Sequence, residues 1–345
     1  MTYSNKTRVC IYGAGSIGSY VGGRLLAAGL PVSFVGRARI AEQMQSQGLH
    51  LSDWQGADIH IDAKQLEFHT NDAGAEQAEL IIVCVKSAAT DEVGRALANR
   101  LRPEVVVLSL QNGVGNGAML ARHLPDNAVL AGMISFNVVQ QGSGHFHAGT
   151  EGELMAAHHR VLEPLLPIFR AAALPLELRT DMLQVQWAKL LMNLNNAINA
   201  LSGVPLYEQL SQRNYRRCLA LLIREAMTVL KRTNIQPANL MPVPMSILPF
   251  ILSIPDGLFK RLARRMLAID PMARSSMWED LEAGRRTEVD WINGEIVKLA
   301  ASIGMSAPAN ARIVELIRNA ESGGERAWQG EALLSTLKQS CGGWA

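Results

Sequence analysis

The chain has 345 residues, of which 48% are hydrophobic and 19% are charged. That length accommodates two domains with a sizeable core, and the composition is ordinary for a globular α/β protein. The formal net charge is only +2, so bulk electrostatics favour neither a nucleic acid nor a membrane surface as a partner.

Sequence signals for location and for metal binding are absent. The N-terminal segment MTYSNKTR is not an apolar signal sequence, and no uninterrupted apolar run reaches the length of a membrane span. The four cysteines show no CxxC spacing, so we predict neither a disulfide framework nor a metal site. These features indicate a cytoplasmic protein with reduced cysteines.

The N-terminal half of the chain alternates short apolar runs with helical patterns. Strands are predicted at 8–12, 32–35, 80–86, 105–110, 129–136, 152–157 and 174–179. Helices are predicted after the glycines at 13–18 and over 90–101 and 117–124. Strands that are apolar throughout and alternate with helices are typical of a parallel sheet buried on both faces.

After about Asp181 helical patterns replace the strands. Helices are predicted over 182–203, 215–232, 276–303 and 308–320. A proline-rich stretch over 237–255 interrupts them. Its simplest interpretation is an irregular insertion, since long connections often have no further role, while a lid and a dimer contact are the alternatives.

A glycine-rich segment joins the first strand to the first helix. It consists of Gly13, Ala14, Gly15, Ser16, Ile17 and Gly18. In such a GxGxxG motif the three glycines permit a tight turn, admit a pyrophosphate, and let helix and strand pack closely. The helix N-terminus then presents free N–H groups to the phosphates. We therefore predict an α/β fold class, with a Rossmann-type dinucleotide-binding domain over 1–180 and an all-helical domain over 181–345.

The end of the second strand indicates which dinucleotide is bound. NAD enzymes usually place an Asp or Glu there, which binds the ribose 2′-hydroxyl. This chain has Gly36 and Arg37 instead, with Arg39 close by. A guanidinium can hold a 2′-phosphate through two parallel hydrogen bonds, so the predicted cofactor is NADP(H). An exposed arginine without a ligand is the alternative.

One lysine lies in a helical segment that is otherwise mostly apolar. Burying Lys189 is costly unless the ammonium is paired or functional. At about 100° per residue, Lys189, Asn193 and Asn196 fall on one face of a continuous helix, which suits a substrate with a carbonyl and hydroxyls. The alternative is a lysine that extends to solvent at a domain edge, with asparagines that cap neighbouring loops.

Three further polar positions could bind a ligand or have a purely structural role. Asn112 follows the strand at 105–110, where its amide could bind nicotinamide and substrate or simply form a turn. Ser276 could bind a ligand or form a capping box with Glu279. Thr287 could likewise cap the helix that follows it.

Together these motifs resemble the ketopantoate reductase (2-dehydropantoate 2-reductase) family, within the 6-phosphogluconate-dehydrogenase-like group. The resemblance spans nearly the whole chain in order, through GAGSIG, VKS, QNGVG, WAKLLMN, SSMWEDL and RRTEVDWINGEI. It implies a Rossmann domain and a helical domain that close an active site between them. It also implies NADPH-dependent reduction of ketopantoate, a small-molecule 2-keto acid, to pantoate on the route to pantothenate. A homodimer is a candidate assembly.

The resemblance also implies roles for individual residues. Lys189 corresponds to the family's proton donor. Substrate contacts are implied for Asn112, Asn193 and Ser276. Cofactor contacts are implied for Asn112, for the backbone of Val138, for Glu288, and for Arg37 and Lys86 beside the 2′-phosphate.

Two positions depart from the family pattern. The family helix carries a second asparagine four residues beyond the first, where this chain has Ala197, and a later asparagine is replaced near Tyr207. Asn196 is our candidate to supply the missing amide. Because the exact substrate stays open, the alternatives are an NADPH-dependent reductase of another 2-keto acid and a non-catalytic NADPH-sensing protein on the same fold.

Overall fold

The computed structural model describes residues 7–262 and 272–342. The chain forms two compact units, Met1–Leu183 and Gln184–Ala345. Both sheets lie in the first unit, and every described element of the second unit is helical. Within the described ranges, no helix has the length and apolarity that crossing a membrane requires.

Twelve strands are described in the first unit. They are β1 (Val9–Tyr12), β2 (Val32–Val35), β3 (Leu49–Asp53), β4 (Asp58–Ile61), β5 (Glu67–His69), β6 (Leu80–Val83), β7 (Val106–Ser109), β8 (Ala128–Ile134), β9 (Val138–Gly142), β10 (His145–Ala148), β11 (Leu154–Ala157) and β12 (Leu176–Arg179). Its helices are α1 (Ser16–Ala27), α2 (Ala38–Gln47), α3 (Thr90–Ala98), α4 (Asn116–His123) and α5 (Leu166–Ala171).

The larger sheet has eight strands in the order β12-β11-β8-β7-β6-β1-β2-β5. Its strands from β5 to β8 pair in parallel, and every residue of β1, β6 and β7 is buried, as expected for strands covered on both faces. The predicted parallel sheet is confirmed over these strands, but β11, beyond β8, runs antiparallel to it. The sheet is therefore mixed.

A second sheet of four strands, in the order β4-β3-β10-β9, was not predicted from the sequence. Helix α1 packs against this small sheet as well as against β1 and β2. Gly22 and Gly23 make this possible: a Cβ on Gly22 would lie 2.4 Å from the Phe34 ring, and one on Gly23 would lie 2.5 Å from Leu49. Two adjacent glycines thus keep both sides of α1 narrow enough to fit between two layers.

The second unit is built around one long helix. Its elements are α6 (Met182–Asn193), which begins two residues before the unit boundary, α7 (Asn195–Ser202), α8 (Leu206–Ser211), α9 (Arg213–Arg232), α10 (Leu248–Ser253), α11 (Asp256–Leu262), α12 (Ser276–Glu282), α13 (Asn293–Ser302), α14 (Pro308–Glu321) and α15 (Gly330–Ser340). Helix α9 contacts α7, α8, α10, α13, α14 and α15. It shows an apolar face toward this core, as its periodicity predicts.

The proline-rich stretch over 237–255 is not wholly irregular, since α10 lies within it. Arg216 of α9 anchors this segment. The Arg216 side chain is fully buried, and its guanidinium donates hydrogen bonds to the carbonyls of Leu252 and Ile254 at 3.1 and 2.9 Å. It also pairs with Asp256 at 2.9 Å. A buried guanidinium needs such partners, so the end of the stretch is fixed to α9.

Two predicted helices are divided in the structure, and several observed helices were not predicted. The helix predicted over 182–203 is interrupted at Leu194. Helices α2, α5, α8, α10, α11 and α15 were not predicted. The helix predicted over 276–303 consists of α12, a short 3₁₀ turn at Val289–Trp291, and α13. Helix α12 ends because Gly284 adopts a positive φ of 61°, the left-handed conformation that commonly terminates a helix.

Candidate active site

The three glycines of the loop after β1 have different surroundings. Gly13 has a φ of 107°, and a Cβ there would lie 2.6 Å from the backbone nitrogen of Val85. A Cβ on Gly18 would lie 2.2 Å from the Gly13 carbonyl oxygen. Gly15, by contrast, has no atom within 4 Å of the position of a Cβ. Two glycines are thus required by the fold itself, and Gly15 leaves open space where a ligand can approach the backbone.

The first turn of α1 is suited to bind an anion. Gly15 precedes the helix, no side chain caps it, and the first turn contains no acidic residue. Ser16 and Ile17 are partly exposed, whereas Ala14 is buried. Uncapped N–H groups at a helix N-terminus favour a negatively charged group, so this turn fits a pyrophosphate.

The end of β2 holds this loop in place. The Val35 carbonyl accepts hydrogen bonds from the backbone N–H groups of Gly13 and Ala14, at 2.9 and 3.0 Å. A Cβ on Gly36 would lie 3.0 Å from the Cβ of Ala14. Arg37 directly follows Gly36 and therefore lies next to the glycine-rich loop.

Arg37 and Arg39 are exposed at the N-terminal end of α2. Neither guanidinium has a hydrogen-bond or ion-pair partner among the described residues, and the first turn of α2 has no acidic residue. Cations at the positive end of a helix are electrostatically unfavourable on their own. The same arrangement is favourable when an anion is bound, which is what a 2′-phosphate would supply.

Lys86 lies after β6, on the other side of β1 from Arg37. The order β6-β1-β2 places the ends of these strands at one edge of the sheet, and Lys86 is exposed there. Val138 opens β9, and its side chain is buried. Any contact between Val138 and a ligand would therefore involve its backbone.

A buried polar network fixes the backbone at Asn112, after β7. The Asn112 carbonyl accepts hydrogen bonds from the Ser87 hydroxyl at 3.0 Å and from the Asn116 amide at 2.6 Å. The Thr90 hydroxyl donates to Asn116 at 2.9 Å and accepts from Gln111 at 2.7 Å. These residues connect the segments after β6 and β7. Ser87, Thr90 and Asn116 were not predicted from the sequence, although polar residues directly after apolar strands are a detectable signal.

Replacing Thr90 with valine should test this network. Valine has nearly the shape of threonine but removes the acceptor of one buried Gln111 N–H and the donor to Asn116 Oδ1, at a cost of about 1–3 kcal/mol in the free energy of unfolding. Denaturant unfolding measures the loss. Thr228→Val is the control, because Thr228 is exposed and bonds only to a carbonyl of its own helix. Equal stability of the two variants would contradict the network's role.

The loop geometry gives a second prediction, for Gly18→Ala. Its Cβ would displace the Gly13 carbonyl, so we expect a loss of about 1–3 kcal/mol in stability and at least about tenfold weaker dinucleotide binding. Fluorescence titration with NADPH and thermal unfolding measure both. Gly257→Ala is the control, since Gly257 is also helical and no atom lies within 4 Å of its added Cβ. Unchanged binding by Gly18→Ala would refute the steric argument.

In the second unit, α6 carries Lys189 and Asn193 four residues apart, and therefore on the same face. Burial lowers the pKa of the Lys189 ammonium below that of a free lysine. The side chain is nonetheless partly accessible, and its Nζ has no hydrogen-bond or ion-pair partner in the described parts of the chain. A desolvated, unpaired ammonium is typical of a lysine with a chemical role.

The neighbouring asparagines fall into two groups. Asn195 and Gln209 exchange two amide hydrogen bonds, at 3.2 and 2.8 Å. Asn199 donates to the Val204 carbonyl and accepts from the Ser275 N–H, both at 2.9 Å. The amides of Asn193 and Asn196, within the described ranges, have no such partner. Asn195 and Asn199 thus have a structural role in holding neighbouring segments, whereas Asn193 and Asn196 are available to a ligand.

The serine that caps α12 is Ser275, not Ser276. The Ser275 hydroxyl accepts a hydrogen bond from the Trp278 N–H at 3.2 Å and donates to the Asn196 carbonyl at 3.1 Å. The capping box considered for Ser276 is therefore wrong by one residue. Ser276 is partly exposed, and its hydroxyl has no partner among the described residues. The Ser275 bond also brings the start of α12 next to Asn196.

The break at Leu194 places Asn196 on a different helix from Lys189 and Asn193. Lys189 and Asn193 share α6, but Asn196 belongs to α7, so a continuous helix no longer fixes its direction relative to Lys189. Ala197 is fully buried, and Tyr207 is 42% exposed. In place of the two asparagines of the family pattern, this chain thus has a buried alanine and an exposed tyrosine.

Glu288 directly precedes the 3₁₀ turn at Val289–Trp291 and is partly buried. Its neighbour Thr287 is held by Glu321, whose carboxylate accepts from both the backbone N–H and the hydroxyl of Thr287 at 2.7 Å. The Thr287 hydroxyl in turn accepts from the Val289 N–H at 3.3 Å. Glu288, not Thr287, occupies the N-cap position of this turn, and Ile292 occupies that of α13, so the prediction that Thr287 caps the next helix is wrong. Thr287 instead fixes the backbone on which Glu288 lies.

Comparison with known proteins adds to this geometry. Residues 9–160 match the family model described as Ketopantoate reductase PanE/ApbA, and residues 181–321 match the model for its C-terminal part. The chain is 30% identical to the 2-dehydropantoate 2-reductase of Archaeoglobus fulgidus over 329 residues, which cover 92% of this chain and 98% of the relative.

Two solved structures show the same fold. A ketopantoate reductase of Ralstonia eutropha superposes with a TM-score of 0.79 at 27% identity, covering 92% of this chain and 99% of that one. D-mandelate dehydrogenase in a complex with NADH and anilino(oxo)acetate has a TM-score of 0.77 at 18% identity, with coverage of 92% and 99%. The second likeness concerns the fold alone.

Proposed function

The chain belongs to the ketopantoate reductase family of oxidoreductases, and we propose that it reduces 2-dehydropantoate to pantoate with NADPH on the route to pantothenate. The observation that carries this proposal is Lys189, a desolvated and unpaired ammonium on the same helix face as an unpaired amide.

NADPH fits the first unit better than NADH does. Gly15 leaves space for the pyrophosphate beside an uncapped helix N-terminus. Arg37 and Arg39 place two unpaired cations beyond β2, where an NAD site would have a carboxylate. We assign the 2′-phosphate to Arg37 and Lys86, and further cofactor contacts to Asn112, Glu288 and the backbone of Val138.

The second unit supplies the groups for the substrate. When bound, NADPH provides the hydride for the ketone carbon. Lys189 stabilises the negative charge that develops on the ketone oxygen and donates a proton to that oxygen, which its lowered pKa favours. Asn112 and Asn193 orient the substrate, Ser276 donates a hydrogen bond to its carboxylate, and Asn196 replaces the amide absent at Ala197.

A panel of 2-keto acids tests the reaction and the substrate together. NADPH oxidation should be fastest with ketopantoate, and slower with pyruvate, 2-ketoisovalerate and phenylglyoxylate. A faster reaction with another keto acid would support a reductase activity but exclude ketopantoate as the substrate. This is our second candidate function, because Ala197 and Tyr207 replace two asparagines of the family pattern. NADPH binding without turnover on any keto acid would instead favour a sensing protein.

Assembly and location are separate proposals. We propose a homodimer in the cytoplasm. Sedimentation equilibrium of the purified chain should then give a mass near twice 37.5 kDa. A monomer at micromolar concentration would reject the dimer without affecting the proposed reaction.

A further inference from the structure

A cluster of histidines lies on one face of the four-stranded sheet. The face toward α1 is apolar, with Leu49, Leu51, Ile61 and Phe146 buried. Because side chains alternate along a strand, the residues between them point away from α1. These are His50 and Ser52 on β3, Asp58 and His60 on β4, and His145 and His147 on β10. Four of the eight histidines of the chain thus share one sheet face.

Three of these side chains converge. His50 and His60 are directly opposite each other in the antiparallel pair of β3 and β4, and their rings stack with centroids 4.0 Å apart. The Nε2 atoms of both approach Asp58 Oδ1, at 2.6 Å from His50 and 3.4 Å from His60. One ligand atom from each residue lies within 4.8 Å of the other two.

Neighbouring groups keep the cluster in place. The His145 ring stacks on His50 with centroids 3.8 Å apart. The Nε2 atom of His145 lies 2.7 Å from the Ser52 hydroxyl, and the same hydroxyl lies 2.8 Å from Nδ1 of His147. His145 and His147 are thus occupied with Ser52, and they leave His50, Asp58 and His60 as one set of donors.

Two imidazole nitrogens and a carboxylate oxygen form a donor set that suits zinc. Zinc bonds of about 2.0–2.1 Å in a tetrahedral site place ligand atoms about 3.3 Å apart. The distance from His60 Nε2 to Asp58 Oδ1 is 3.4 Å, and the His50–Asp58 hydrogen bond of 2.6 Å would open by less than about 1 Å. Because the two rings stack with only 16° between their planes, the exposed His60 ring must also rotate for both nitrogen lone pairs to face one ion. Side-chain exposures of 31% for His50 and 68% for both Asp58 and His60 leave the set accessible to an ion and to water.

We propose that His50, Asp58 and His60 bind one zinc ion, with water in the remaining position. The cysteine spacing gave no sign of such a site because its ligands follow the strand alternation rather than a cysteine motif. The ion would connect β3 to β4 on the face opposite α1. The site is independent of the proposed reductase activity.

Isothermal titration of the tag-free chain with zinc chloride tests this site, in a buffer that does not chelate zinc. We expect one equivalent to bind, and His50→Ala/His60→Ala to weaken that binding by at least about 100-fold, since even outer-shell partners of metal ligands are worth about 10–100-fold. Asp58→Asn, which keeps the side-chain shape on an exposed position, should weaken it by about tenfold or more. Zinc should also raise the Tm of the wild type by several degrees, and that of the double variant much less.

His158→Ala is the matched control. His158 pairs with Glu163 at 3.2 Å, and no third ligand lies beside them among the residues that the structure describes, so zinc binding should stay unchanged. Circular dichroism and NADPH binding confirm that each variant is folded. Absence of zinc binding to the wild type at millimolar concentration would overturn the proposal. So would an affinity that is the same in the double variant, in Asp58→Asn and in the wild type.

Discussion

Replacing Lys189 with alanine should lower the kcat of ketone reduction by about 10² or more, the usual scale for the loss of a general acid. The variant loses both the positive charge near the developing alkoxide and the proton that neutralises it. Because Lys189 is not among the proposed cofactor contacts, the Kd for NADPH should change little. Stopped-flow measurement of NADPH oxidation and a binding titration separate the two effects.

The pH dependence gives this prediction a second readout. In the proposed mechanism reduction needs protonated Lys189, so kcat should fall as pH rises through the lowered pKa of this lysine, below the pH at which an ordinary lysine deprotonates. Oxidation of pantoate should show the opposite dependence. In the alanine variant this step in the profile should disappear.

Lys231→Ala is the control for Lys189→Ala, because Lys231 is an exposed lysine in the last turn of α9. Its kcat and pH profile should match the wild type. Near-normal turnover by Lys189→Ala, or a pH profile identical to that of the wild type, would contradict the assignment of the proton donor.

Replacing Arg37 with alanine should raise the KM for NADPH by about 10- to 100-fold and leave the KM for NADH nearly unchanged. A charge-assisted hydrogen bond to a phosphate is worth about 1.5–3 kcal/mol, and only NADPH has the 2′-phosphate to make it. Steady-state kinetics with both cofactors at saturating substrate measure the ratio.

Two further variants sharpen the test of cofactor preference. Arg37→Ala/Arg39→Ala should lower the preference for NADPH more than Arg37→Ala does, if both cations face the same anion. Arg122→Ala, an exposed arginine in the last turn of α4, should leave both KM values unchanged. Equal losses with NADPH and NADH would show that Arg37 does not read the 2′-phosphate.

The parts of the site that could be predicted are those governed by local sterics. Gly18 is required by contacts within a few residues of the motif, and the strand–turn–helix arrangement that the motif predicts is confirmed. The crowding at Gly13, by contrast, comes from the backbone of Val85 in a distant segment. The two-part fold was likewise predictable, because apolar strands and long helical patterns occupy separate halves of the chain.

The parts that could not be predicted depend on contacts between distant residues. The small sheet was missed because its strands are short and carry histidines and other polar residues on one face. The choice between Ser275 and Ser276 as the cap depends on hydrogen bonds to Asn196 and Asn199, about eighty residues away. Which asparagines are structural depends on partners such as Gln209, which no helical periodicity reveals.

The most direct test of the central claim is the fate of the transferred hydrogen. The chain is incubated with ketopantoate and NADPH deuterated at C4 of the nicotinamide on the face that is transferred, and the product is analysed by mass spectrometry and NMR. We expect pantoate with one deuterium at C2, formed at a rate that Lys189→Ala reduces by about 10² or more. Pantoate without deuterium, or no pantoate while another 2-keto acid is reduced, would contradict the proposed function.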